Sequence, residues 1–167
     1  EDLNENALWG FANENQTNQW YIGMAANSTE NGLYSCYISS DSGATNNYVD
    51  AVSAVYAYRD ILFPPSDNDF LFSFKWKNQG ESDRYEALRV FAGDVVDVQA
   101  GVGGTNVTIP GAEELGSFFN NNSWNEESFI LSFIPMLLTQ LTHLQHLMIL
   151  QSENLLVLMS ILCLFLI

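Results

Sequence analysis

Four acidic loops carry the residue types that could hold a cation. Calcium takes several carboxylate and carbonyl oxygens at about 2.3 to 2.6 Å, and loops rich in Asp, Asn and Gly supply such oxygens. No EF-hand spacing occurs in them. The competing interpretation, which we favour, is that these side chains cap turns through hydrogen bonds to the backbone. The loops are Glu1-Asp2, Asp41-Ser42-Gly43, Asp67-Asn68-Asp69 and Glu81-Ser82-Asp83.

Aromatic side chains could form a sugar-binding platform, because pyranose rings present apolar faces that stack on Trp and Tyr. Core packing is the competing role, and it is the predicted one for Trp76, which alternates with Phe72 and Phe74. The predicted ligand-contacting residues are Trp9, Trp124, Tyr21 and Tyr58.

A glycoside hydrolase is the main catalytic alternative. Such enzymes need two carboxylates about 5 to 10 Å apart, and Glu81, Asp83 and Glu86 lie close together in the sequence. Nucleophilic or zinc chemistry needs support from histidine, and the two histidines, His143 and His146, have no evident third partner. We therefore predict no catalytic residue and a protein that is not an enzyme.

Composition limits the class of protein. The 167 residues are 47% hydrophobic and 13% aromatic, which is enough for one folded domain with a real core. The formal net charge of -15 argues against a nucleic-acid partner, because phosphate binding needs clustered Lys and Arg. The five basic residues are Arg59, Lys75, Lys77, Arg84 and Arg89, and we expect the last four to pair with surrounding acids.

Short segments of alternating apolar and polar residues, separated by turn-rich loops, predict an all-β sandwich. In Leu71 to Lys77, three aromatic side chains point one way and polar side chains the other. Further strands are predicted around Trp20 to Met24, Tyr34 to Ile38, Ala51 to Ile61, Leu88 to Ala92 and Phe129 to Phe133.

The character of the sequence changes after Pro135. Residues 136–167 contain no Gly, Lys or Arg and are rich in Leu, so we divide the chain into a domain over 1–135 and an atypical apolar tail over 136–167. The run from Leu155 to Ile167 would rise only about 20 Å as a helix, which is too short for a membrane span. Two interpretations stay open, an amphipathic helix and translation out of frame, and we favour the second slightly.

An ordered series of segments resembles the choice-of-anchor J domains of Bacteroidetes surface proteins, which are related in fold to the cleaved-adhesin domains of gingipains and to MAM domains. The resemblance covers residues 1–134. It is carried by Trp20-Tyr21-Ile22-Gly23, Tyr37-Ile38-Ser39-Ser40-Asp41-Ser42-Gly43 with Asn47-Tyr48, Val55-Tyr56-Ala57-Tyr58-Arg59-Asp60-Ile61, Phe74-Lys75-Trp76-Lys77 with Gly80-Glu81 and Asp83, and Leu88-Arg89-Val90-Phe91.

The resemblance implies a jelly-roll β-sandwich that is exported to the bacterial cell surface and acts in adhesion or in binding of glycans or proteins. It also implies calcium as a cofactor, with Asp41 and Asp83 at positions that match the family's motifs. The closing strands of the family are absent after Pro135, so we expect an incomplete sandwich with an unpaired edge. Two cysteines, Cys36 and Cys163, are predicted to form no disulfide.

Overall fold

The computed structural model describes residues 6–26, 32–63, 69–80, 86–93, 99–101 and 108–132, together with the backbone of 157–166. These residues form nine strands and essentially no helix, which confirms the all-β prediction. No helix in these ranges is long and apolar enough to span a membrane.

Five antiparallel strands form a large sheet in the order β1-β4-β9-β6-β7. Its members are β1 (Gly10–Ala12), β4 (Ala54–Phe63), β6 (Ala87–Gly93), β7 (Ala112–Phe118) and β9 (Val157–Leu166). Two smaller antiparallel sheets complete the described fold. One joins β2 (Gln19–Gly23) to β3 (Ser35–Ser39), and the other joins β5 (Phe70–Asn78) to β8 (Asn121–Leu131).

The inner face of the large sheet packs against both small sheets. Val55 and Ala57 of β4 form a buried cluster with Trp20 of β2 and Ile38 of β3. Ala92 of β6 packs with Leu131 of β8, and Phe72 of β5 lies against the same cluster. This two-layer arrangement is consistent with the predicted β-sandwich, whereas the jelly-roll topology stays a prediction.

The outer face of the large sheet has its own packing. Because paired residues share a face, Tyr56 and Tyr58 of β4 lie on the same side as Arg89 and Phe91 of β6. Tyr56 and Phe91 are buried there with Ala12. A β-bulge between Val90 and Phe91 adjusts the pairing with the edge strand β7.

The apolar tail contributes the central strand of the large sheet. β9 pairs with β4 along its whole length and with β6 over seven positions. The amphipathic-helix interpretation depends on the spacing of Leu137, Leu141, Leu144 and Met148, which lie outside the described ranges, whereas 157–166 form a strand between β4 and β6. A strand covered on both faces carries a continuous apolar run, which periodicity alone cannot distinguish from a buried helix. Residues 136–156 lie outside the described ranges.

All six predicted strands exist, with shifted ends. The largest shift concerns β8, which begins at Asn121, eight residues before the predicted start at Phe129. Asn120 adopts a left-handed backbone with φ of 49°, so the turn ends immediately before the strand begins. Three further strands, β1, β7 and β9, have no counterpart in the predicted set.

Candidate ligand-binding site

A partly open cavity of about 570 Å³, which we call the cleft, is lined by residues from the large sheet and from both small sheets. Its volume lies within the usual range for pockets that hold small ligands. Aromatic side chains dominate the lining. The lining residues are Trp9, Trp20, Tyr34, Ser35, Cys36, Ala57, Arg59, Ile61, Phe72, Ser73, Phe74, Lys75, Leu88, Trp124 and Glu126.

The fold brings Trp9 and Trp124, two of the four predicted ligand-contacting residues, to this one cleft. Trp9 immediately precedes β1, and Trp124 lies near the start of β8. Both side chains are half-buried, so part of each ring stays accessible. Trp20 differs, because it is 6% exposed and its Nε1–H donates to the carbonyl oxygen of Val55 at 3.0 Å. We therefore assign Trp20 to the back wall of the cleft.

A second cavity of about 140 Å³ adjoins the cleft and shares Trp124, Lys75 and Cys36 with it. Its remaining lining includes Tyr48, whose hydroxyl donates to Oε2 of Glu86 at 3.0 Å. Asn78 is 5% exposed and donates to the carbonyl oxygens of Glu86 and Phe118 at 3.0 and 3.3 Å. The Asn78 amide thus holds the end of β5 against the start of β6 and the end of β7.

The side of the β5–β8 sheet that borders the cleft carries both aromatic and charged groups. Lys75 and Glu126 are direct cross-strand partners, and Trp124 lies two residues from Glu126 on β8. Because directly paired residues share one side of a sheet, Lys75 and Glu126 face the same way, whereas Trp124 lies in the stretch where the register of the two strands shifts. Arg59 of β4 lines the cleft as well, and Lys77 lines the smaller cavity.

Tyr21 and Tyr58 lie elsewhere. Tyr21 lines a separate pocket of about 410 Å³ beside Gly43, and its hydroxyl donates to Oε1 of Gln19 at 2.8 Å. Tyr58 packs on the outer face of the large sheet, where its ring lies so close to Gly10 that a Cβ on that residue would overlap it. The four predicted residues therefore do not form a single platform.

Asp41 closes its own loop. Its Oδ1 accepts bonds from the Ser39 hydroxyl at 2.5 Å and the Thr45 N–H at 2.9 Å, while Oδ2 accepts the Thr45 hydroxyl at 2.8 Å. The hydrogen bond from the Ser39 hydroxyl has the largest effect on the carboxyl group, and the two bonds from Thr45 act in the same direction. Together they hold the pKa of Asp41 at about 2, below its ordinary 3.8. This geometry is the turn cap that the residue types favoured.

The described residues contain no group of three or more His, Cys, Asp or Glu side chains that could hold a metal ion. Asp83, the second predicted calcium ligand, lies outside the described ranges, as does Glu81. The calcium hypothesis therefore stays a prediction. Cys36 is half-buried and lines both cavities, and the prediction that it forms no disulfide stays a prediction.

Sequence reasoning missed the charged members of the cleft. Lys75 was expected to pair with surrounding acids and Arg59 was given no role, whereas both line the cleft. Arg89, by contrast, makes a two-point ion pair with the carboxylate of Glu114. The alternation of β5 placed Lys75 on its wet side, but it could not show that this side borders a cavity. Comparison with protein-family models, with curated proteins and with solved structures finds no match to this chain.

Proposed function

We propose that this protein is a non-catalytic, extracellular ligand-binding module and that the cleft receives a glycan. The observation that carries the proposal is the convergence of Trp9 and Trp124, which are 115 positions apart in the sequence, on one partly open cavity. Half-buried indole rings offer flat apolar faces held in place by packing, which is what stacking on a pyranose ring requires.

The closed back wall and the polar groups of the cleft support a binding role. Trp20 and Leu88 close the back of the cleft, while Ser73 and Lys75 add polar groups that could fix the orientation of a ligand. A few polar groups set in a mainly aromatic wall are typical of sites that recognise small molecules. Adhesion at a bacterial cell surface, which the family resemblance implies, is the biological setting that we propose for this binding.

The hydrolase alternative requires two carboxylates facing one bond. Among the described residues that line the two cavities, Glu126 is the single carboxylate. Glu86 is engaged by the Tyr48 hydroxyl instead. A hydrolytic role would therefore have to use Glu81 or Asp83, and substitution of either by its amide tests it through release of reducing sugar.

A glycan array followed by titration calorimetry tests the binding proposal. We expect the wild-type chain to bind at least one class of oligosaccharide, and Trp124→Ala to weaken that binding by about tenfold through loss of stacking area. Trp124→Phe keeps an aromatic face and should retain more affinity than the alanine variant.

A matched control is Tyr21→Phe, which removes one hydroxyl in a different pocket and should bind as the wild type does. Circular dichroism of each variant establishes that the fold is intact. Binding that survives Trp124→Ala unchanged would show that the cleft is not the site, and an array without any bound glycan would refute the proposal.

A further inference from the structure

We propose that the cleft selects negatively charged saccharides, those that carry carboxylate or sulphate groups. This inference rests on the proposed function and adds the class of ligand to it. Its basis is the placement of the few cationic residues of an otherwise acidic chain.

The charge of the cavity lining is opposite to that of the whole protein. The sequence holds 5 basic and 20 acidic residues, for a net charge of -15. Arg59, Lys75 and Lys77 nevertheless line the cleft and its adjoining cavity, and Glu126 is the one acidic residue in the described lining. Among the residues that the structure describes, three cations therefore line the two cavities together with one acid.

The two lysines are available for a ligand. Neither Lys75 nor Lys77 forms an ion pair with another residue in the ranges that the structure describes, in contrast to Arg89, which is held by Glu114. Lys75 is exposed and Lys77 is half-buried, so both ammonium groups can reach solvent or a bound anion. Within the described ranges no acid pairs with these lysines, and the expectation that they pair with surrounding acids stays a prediction for the acids outside those ranges, among them Glu81 and Asp83.

The surroundings of these cations strengthen their effect on a ligand. Cavities lined by one sign of charge with low-dielectric walls focus the electric field, and the aromatic rings of Trp9, Trp124 and Phe74 provide such walls. A chain with a large negative charge repels anions in general. Local cations are thus needed to admit an acidic sugar, and Trp124, which lines the same cleft as Lys75, would stack on the sugar ring.

Titration calorimetry with three tetrasaccharides tests the proposal. The probes are tetragalacturonate, its fully methyl-esterified form, and a chondroitin sulphate tetrasaccharide; the first two share every ring and differ in charge. We expect a charged probe to bind at least about tenfold more tightly than the ester, with an affinity that falls as salt rises from 50 to 300 mM. The chondroitin probe carries both carboxylates and sulphates, so binding of tetragalacturonate shows that carboxylates suffice, and binding of the chondroitin probe alone indicates that sulphate is required.

Two substitutions that change the charge of the cleft in opposite directions make the test more specific. Lys75→Gln should weaken binding of the charged probe by about two- to fivefold, and Glu126→Gln should tighten it by a similar factor, because each changes one partly exposed charge beside the ligand. Asp50→Asn is the matched control, since this exposed residue lines neither cavity yet changes the net charge by the same amount.

Equal binding of the ester and the acid, or equal effects of Glu126→Gln and Asp50→Asn, would overturn charge selection and leave the glycan-binding proposal in place. Failure of all three probes, and of every neutral and charged glycan on the array, would overturn both.

Discussion

The two faces of the large sheet differ in how their charged and aromatic side chains are engaged. On the outer face, the charge of Arg89 is matched by Glu114, its guanidinium lies 5.0 Å from the centre of the Phe91 ring, and Tyr56 is buried beside it. On the inner face, Ala57 and Leu88 border a cavity of about 570 Å³ that lysine and tryptophan side chains also line. One face is closed by its own contacts, and the other leaves aromatic and cationic groups available.

This difference indicates which side of the large sheet is suited to bind a ligand. Interiors of folded proteins are close-packed, whereas a partly open cleft of this size is accessible to solvent and to small ligands. The outer face stabilises the sheet, and the cleft side carries the proposed ligand contacts. Substitutions on the two faces should therefore affect different measurements.

The largest effect is expected from breaking the strand that both faces share. β9 has hydrogen-bonded neighbours on both sides, so every N–H along it serves the sheet. Ile161, paired with Arg59 and Ala92, is a central position, and Ile161→Pro should abolish the cooperative unfolding transition seen by circular dichroism. Ile161→Val, which keeps the N–H, should unfold nearly as the wild type does.

Native-like unfolding of the proline variant would contradict the central position of β9. The same strand bears on the reading-frame hypothesis, because a tail translated out of frame would have no reason to complete the sheet. Resequencing the gene around codon 136 tests that hypothesis directly.

The next largest effect separates the two faces. Arg89 is 8% exposed, so Arg89→Ala leaves Glu114 without its partner and removes the contact with Phe91. Because the Glu114 side chain is 35% exposed, we expect a loss of about 2 kcal/mol in the free energy of unfolding, less than for a fully buried pair. Denaturant titration measures it.

Lys75→Ala is the matched change on the cleft side and should alter stability by no more than about 0.5 kcal/mol. An equal loss in the two variants would show that the faces do not differ as described. Arg89→Lys should fall between them, because an ammonium group cannot reproduce the two-point contact.

A smaller effect is expected from a pair of glycines. A Cβ at Gly10 would overlap the Tyr58 ring, whereas one at Gly101 would meet nothing within 4 Å. Gly10→Ala should therefore lower the free energy of unfolding by about 1 to 2 kcal/mol through crowding of the outer face, and Gly101→Ala should leave it nearly unchanged. Glycan binding by both variants should match the wild type. A loss of glycan affinity in Gly10→Ala alone would show that packing on the outer face affects binding in the cleft.

The smallest effect concerns the Asp41 loop. A carboxyl group whose pKa is depressed by folding contributes stability above its unfolded pKa, and that contribution disappears as the pH falls through the folded pKa. With a folded pKa of about 2, against 3.8 as the ordinary value, the wild type should lose loop stability between pH 4 and pH 2. Melting temperatures of Asp41→Asn should fall less over this interval.

Asp50→Asn controls for the number of carboxylates. A melting temperature that rises with calcium in the wild type, and not in Asp41→Asn, would instead support the calcium hypothesis.

Period-two alternation was sufficient to predict five strands, and β-branched and aromatic content predicted the sixth, Ala51 to Ile61. Alternation failed for β7, where Glu113, Glu114 and Gly116 are poor strand formers tolerated at the sheet edge. It failed for β9 because 157–166 is a nearly continuous apolar run without alternation.

The candidate site was predictable in part. The indole rings of Trp9 and Trp124 could be selected by chemistry alone, since few residue types stack on sugars. Their convergence, and the presence of Lys75 beside Trp124, depend on the register of β5 with β8, which joins residues about fifty positions apart. Local sequence patterns carry no information about such a pairing.

The most direct test of the proposed binding site uses the four indole N–H signals in a two-dimensional NMR spectrum. A glycan that binds in the cleft should shift the signals of Trp9 and Trp124 most strongly, because these half-buried rings line it. The signal of Trp76 should change least, since its Nε1 donates to Oε1 of Glu127 at 3.5 Å and its side chain is 7% exposed. Saturating binding that leaves the Trp9 and Trp124 signals unmoved would contradict the account.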